Sequence, residues 1–116
     1  MKEIVKPSDK NNKVIYLIID FYDAYYKLDR LKLYSNLSTS FQKDVPLNYF
    51  LIHSDYDIDL GTLIEINRIR IEKHGLIAAE MTVEINKKKR VVVITIKKDF
   101  GGWKIDGDSI YKGNYS

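Results

Sequence analysis

Proton transfer near neutral pH needs a carboxylate or imidazole held in apolar surroundings, with a partner that can share its proton. The chain offers Asp20 and Asp23 in DFYDAYY, His53 in LIHSDYD, and nine tyrosines. Asp20 and Asp23 fall on the polar side of an apolar three-and-four pattern, and Lys27 follows Asp23 by four residues, so solvated surface carboxylates fit better than a catalytic pair. His53 sits in an irregular stretch from which it could meet a pocket, whereas His74 stands at a His-Gly turn and is expected to face water. No residue is assigned a catalytic role, and no cofactor is expected.

Three further stretches carry charge or glycine. DYDIDLG sets Asp55, Asp57 and Asp59 at alternate positions, which would align three carboxylates on one side of an extended chain and makes them weak candidates for calcium. An EF-hand loop needs glycine where Leu60 stands and glutamate where Ile66 stands, so a solvated acidic loop is the better reading. KKKR, from Lys87 to Arg90, is the strongest local charge, but no aromatic interleaves with it for base stacking. It reads as a basic hairpin tip, with phosphate or anionic-membrane contact as a lesser alternative and nucleic acid disfavoured. In DFGGWKIDGDSIY a phosphate cradle would need its glycines to open a helix. They lead instead into the alternating Trp103-Lys104-Ile105, a hairpin in which Trp103 and Ile105 close the core and Asp106-Gly107-Asp108 bends the last strand.

The elements that must hold these groups form an α+β pattern. Val14, Leu17, Ile18, Phe21, Tyr25 and Leu28 line one face of a helix of about four turns. Tyr22 and Tyr26 share a face beside that stripe and are candidates for a pocket rim or partner surface. Asp29 can cap a short second helix, RLKLYSNL, with Leu31, Tyr34 and Leu37 on one face, and Ser38-Thr39 stop it and restart the chain before Phe41. Residues 44–61 read as irregular with one helical turn around Leu47 to Ile52, which carries Tyr49.

Beyond Gly61 the period falls to two. Ile64 and Ile66 oppose Ile69 and Ile71 in parity, so a bulge near Asn67-Arg68 is required to keep them on one side. LIAAEMTVEIN alternates cleanly, RVVVITIKK is apolar at both parities, and the WKI strand closes the sheet. The expectation is one long and one short helix packed on a strongly curved antiparallel sheet of three to four long strands.

Bulk properties agree with one domain. The 116 residues are 45% hydrophobic and 30% charged, the range of an ordinary packed core. A net charge of +3 argues for no particular partner, and the absence of cysteine excludes disulfides, thiol catalysis and thiolate metal sites. The apolar run Val14 to Ile19 is far shorter than the roughly 20 residues of a membrane span. Residues 1–13 read as a polar tether, 14–111 as the domain and 112–116 as a tail.

The stretch DFYDAYYKLDRLKLYSNLSTSF, from Asp20 to Phe41, and the closing WKIDG, from Trp103 to Gly107, resemble the nuclear transport factor 2-like, or cystatin-like, α+β cone superfamily. The resemblance covers roughly residues 14 to 111 in pattern and order, without an active-site motif. It implies a cone whose mouth lies between the long helix and the concave sheet face, with Tyr22, Tyr26, Tyr49, His53 and Trp103 as pocket or partner-surface candidates. The superfamily holds enzymes, transport adaptors, immunity proteins, secretion-channel factors and small lipoproteins, so fold alone does not select among them. With the tether-like opening, the resemblance implies a non-catalytic binding or assembly module of a bacterial extracytoplasmic protein, membrane-tethered only through an N-terminal anchor that has been removed. A native start at Met1 would place it in the cytoplasm instead. Its partner would be a protein or a small apolar ligand, and a homodimer is a further expectation. The alternatives are a small-molecule enzyme or carrier using the cone pocket, an immunity-type inhibitor, and a secretion or conjugation-channel component.

Overall fold

In a computed structural model that describes residues 9–73, 75–100 and 102–111, with side chains from Asn12 onward, four helices precede four strands. They are α1 (Asp9–Tyr26), α2 (Arg30–Ser35), α3 (Thr39–Asp44), α4 (Leu47–Ile52), β1 (Thr62–Lys73), β2 (Leu76–Ile85), β3 (Lys88–Asp99) and β4 (Gly102–Ile105). The strands make one antiparallel sheet in sequence order, strongly curved but not closed, with the helical segment packed on it. The α+β expectation holds. His74 and the tail at 112–116 lie outside the described residues.

α1 begins at Asp9, so the stretch expected to be a tether is helical from that residue on. Its inner face buries Val14, Ile18, Phe21 and Tyr22. Leu28, expected on that stripe, is instead 82% exposed, because the helix has ended and Leu28 takes a left-handed φ of 59°. The amide of Asp29 donates to the Ala24 carbonyl at 2.9 Å and that of Leu28 to the Tyr25 carbonyl at 3.2 Å, which is the Schellman ending with leucine where glycine is usual. Asp29 then caps α2 by accepting from the Lys32 amide. The inward side chains here are Leu33 and Leu37, while Leu31 is exposed; α2 stops at Ser35, so helical spacing does not govern where Leu37 points.

β1 carries bulges, but they do not bring its four isoleucines to one side, since Ile64 and Ile71 are exposed. The β1–β2 register shifts by one residue three times, between Leu63 and Glu65, between Ile66 and Arg68, and between Ile71 and Lys73. The second is the bulge expected near Asn67-Arg68. Together they turn a period of two into inward positions three apart, with Ile66 buried and Leu63 and Ile69 packed against the core. β2 and β3 meet in a two-residue turn at Asn86 and Lys87, both with positive φ, as a type I′ hairpin requires. The far edge of β4 is covered, because Ile105 donates to the Asn36 carbonyl and accepts from the Ser38 amide.

Past Ile105 the strand ends rather than bends. Asp106 Oδ1 accepts from the Asp108 amide, and the Gly107 carbonyl accepts from Ile110 and Tyr111, so the chain turns into a short helical segment. Trp103 is only partly buried, and Ile105 closes the core at that edge.

One carboxylate fastens sheet to helix. Asp99 accepts from the Thr39 amide at 2.7 Å and the Thr39 hydroxyl at 2.9 Å, and also from the Phe100 amide. The Thr39 amide, helped by the Phe100 amide, the Thr39 hydroxyl and nearby Lys104, lowers the Asp99 carboxyl below its ordinary 3.8, against the opposing effect of desolvation. A depressed folded value means stabilisation that is present above the unfolded value and lost as pH falls through the folded one. Asp99→Asn is therefore expected to cost about 1 kcal/mol at neutral pH, the difference between charged and neutral hydrogen bonds. Urea unfolding of both proteins should show that gap closing below about pH 4. A gap that persists at acid pH would mean the charge is not what matters.

Candidate functional site

Three tyrosines of α1 act as rivets. The Tyr22 hydroxyl donates to the Leu60 carbonyl at 3.1 Å, Tyr25 accepts from the Leu60 amide at 3.0 Å, and Tyr26 accepts from the Leu63 amide at 2.7 Å. Tyr22 is 2% exposed, so it belongs to the core and not to a rim. Tyr26 is half exposed, but its hydroxyl is committed to the start of β1. Burial raises the Tyr25 hydroxyl above its ordinary value, and neighbouring Asp59 pushes it the same way against the Leu60 and Gly61 backbone bonds.

The aspartates hold ordinary posts. Asp20 and Asp23 are half-exposed and paired with Lys32 at 3.0 and 3.9 Å, and Asp23 also with Lys27 at 3.1 Å. A 3-10 turn at Ser54–Tyr56 breaks the extended run that would have aligned Asp55, Asp57 and Asp59, and Asp59 is turned onto Tyr25 and the Gly61 amide. No group of three or more His, Asp or Glu suited to a metal ion occurs among the described residues.

The concave sheet face is filled. Ile66, Ile77, Met81, Ile94 and Ile96 are at most 1% exposed and share one cluster with Val14, Ile18 and Phe21 of α1. A half-enclosed pocket of about 60 Å³ remains beside the end of α1, lined by Tyr25, Arg30, Leu33, Tyr56, Leu60 and Tyr111. Small-molecule sites usually run to roughly 300–1,000 Å³.

An open groove of about 590 Å³ lies along α4, lined by Asp44, Pro46, Tyr49, Ile52, Tyr56 and Asp108 among others. Its floor is rigid. Phe50, fully buried, meets Tyr34, Phe41, Tyr56 and Tyr111 with ring centroids 5.1 to 6.3 Å apart. Arg30 lies 5.2 Å over the Phe50 ring and donates to the Phe50 carbonyl at 3.0 Å, tying down the last turn of α4. The Tyr34 hydroxyl donates to the Val45 carbonyl at 2.7 Å and fixes the α3–α4 corner.

Two of the expected residues meet here. Tyr49 and His53 stack at 4.6 Å, and His53 Nδ1 accepts from the Asp55 amide, so the imidazole finishes α4 and caps the next turn. Trp103 lies apart, in a shallower depression with Tyr16, Asp20 and Lys104, and Lys98 sits 5.1 Å over its ring. Ile52, 82% exposed, escaped the sequence reading, as did Asp44 and Asp108. The available signal was an apolar residue directly before the polar HSDYD. Comparison with known protein families, curated proteins and solved structures returns no match to this chain.

Proposed function

We propose that this chain is a non-catalytic binding or assembly module that seats a protein segment in the α4 groove, within an extracytoplasmic bacterial protein of the nuclear transport factor 2-like superfamily. The carrying observation is the open groove of about 590 Å³ with Tyr49 and Ile52 exposed along it. A fixed backbone under exposed apolar side chains lowers the ordering cost of binding. Asp44 at the groove favours a segment that pairs an apolar anchor with a lysine or arginine. Helices before a curved antiparallel sheet support the superfamily reading. An immunity-type inhibitor or channel component would use the same groove as its protein interface. An enzyme or carrier would need room on the concave face, where α1 side chains now sit.

Selection of a displayed random-peptide library against the immobilised protein tests this reading. Enriched peptides should combine an apolar anchor with a basic residue and lose about tenfold or more in affinity to Ile52→Asp. Peptides that bind Ile52→Asp and Tyr49→Ala as well as the parent, or no enrichment at all, would remove the groove from consideration.

A further inference from the structure

The β3–β4 hairpin ends in Phe100, which is completely exposed at 101%. An isolated exposed phenylalanine is unremarkable, but this one has a particular setting. Lys98 donates its amide to the Gly75 carbonyl, level with the β1–β2 turn, and the chain then runs on through Asp99 to Phe100. At about 3.3 Å per residue Phe100 lies roughly 7 Å beyond Lys98 along the chain. Asp99, held by Thr39 and by the Phe100 amide, braces it.

The charges around the tip are lopsided. Lys97 is near Asp106, Arg70 is paired with Glu72 and Lys104 reaches the Ser35 carbonyl, while Lys73 and Lys98 have no ion-pair partner among the described residues. Trp103, the only tryptophan, is two residues past the turn with Lys98 over its ring. Asp99 is the one carboxylate at the tip, and three hydrogen bonds from Thr39 and Phe100 occupy it. The other basic hairpin, Lys87 to Arg90, carries more charge but no aromatic.

We propose that the β3–β4 tip is a peripheral membrane contact, in which Phe100 enters the interfacial region of an anionic bilayer while Lys73 and Lys98 face lipid phosphates and Trp103 settles at headgroup level. A fully exposed apolar side chain at a hairpin tip is the kind of group that enters the interfacial region of a bilayer. Tryptophan and lysine beside an apolar tip are the residues that membrane interfaces favour, and each lysine near an anionic surface adds to the attraction. No described helix is long and apolar enough to cross a membrane, so the contact is a surface one. The inference does not depend on the α4 groove.

Co-sedimentation of the full chain with vesicles tests it, using equal parts phosphatidylglycerol and phosphatidylcholine against phosphatidylcholine alone. The expected result is partitioning to the anionic vesicles only, a blue shift of Trp103 emission on binding, and about a tenfold loss of partitioning in Phe100→Ser. The double variant Lys88→Glu, Lys89→Glu at the opposite hairpin should lose no more than about threefold. Equal thermal midpoints for Phe100→Ser and the parent show that the loss is not unfolding. Three results overturn the proposal. No partitioning to anionic vesicles leaves Phe100 to a protein partner. Binding of Phe100→Ser equal to that of the parent removes the tip from the contact. Loss of binding in the Lys88, Lys89 variant while Phe100→Ser is spared makes the contact a matter of charge at the other end.

Discussion

Replacing Phe50 by alanine is expected to destabilise the protein by about 3–5 kcal/mol, the usual cost of emptying a fully buried phenylalanine site. The residue is 0% exposed and stands at the centre of the cluster formed by Tyr34, Phe41, Tyr56 and Tyr111, with the Arg30 guanidinium over its ring. Those rings are anchored by separate backbone elements, so they cannot collapse together into the vacated space. Phe50→Leu keeps most of the volume and should lose about half as much. For a domain with a total stability of about 5–15 kcal/mol, the alanine variant is close to the limit of folding. Urea unfolding should show a lower midpoint at unchanged slope. A loss below about 1 kcal/mol would mean that the cluster relaxes and that α4 does not depend on it.

Gly61→Ala is expected to lose about 2–4 kcal/mol, from two additive causes. The residue has φ +73°, a left-handed conformation in which a side chain meets its own backbone. A Cβ there would also stand 2.5 Å from the Glu84 carbonyl oxygen and 2.5 Å from Ile85 Cγ1. The carbonyl belongs to β2 and cannot swing aside as a flexible side chain would. Hydrogen exchange gives a local readout, because the Leu60 and Leu63 amides donate to Tyr25 and Tyr26 on either side of the glycine. Both amides should lose protection in the variant ahead of the rest of the sheet. Unchanged protection together with an unchanged midpoint would contradict the close approach.

The sheet was the more legible part of the fold. The opposed parity of the β1 isoleucines pointed to a bulge near Asn67, and the register shifts there, although Ile64 and Ile71 stay exposed. The shift beside Leu63 brings that residue to the same side as Ile66 despite their opposed parity, and the shift beside Ile71 carries no such signal. The single turn expected around Leu47 to Ile52 is α4 itself. Helical spacing placed the α1 stripe correctly until Leu28, where the chain had already left the helix. Tyr22 shows what spacing cannot contain. It lies beside the stripe on α1 alone, and it is buried because the segment from Asp59 to Leu63 folds back over it across 38 residues of sequence. Ile52 shows the converse, since an isoleucine is read as core unless something says that its side of the helix meets nothing.

The connectivity of the sheet also sets the order in which the chain can mature. Each pair of neighbouring strands is joined by two residues, so every strand closure is local and low in entropic cost. The closures that complete the helical layer are distant, as in Lys104 reaching the Ser35 carbonyl across 69 residues. The ribosome delivers α1 to α4 first, yet Phe41 and Phe50 receive Tyr111, and residues 36–38 receive β4, only when the final stretch has emerged. Until then the nascent chain holds an aromatic cluster without its last ring and a helical layer without the strand that it covers, and that interval is where the protein is most exposed to capture by other chains.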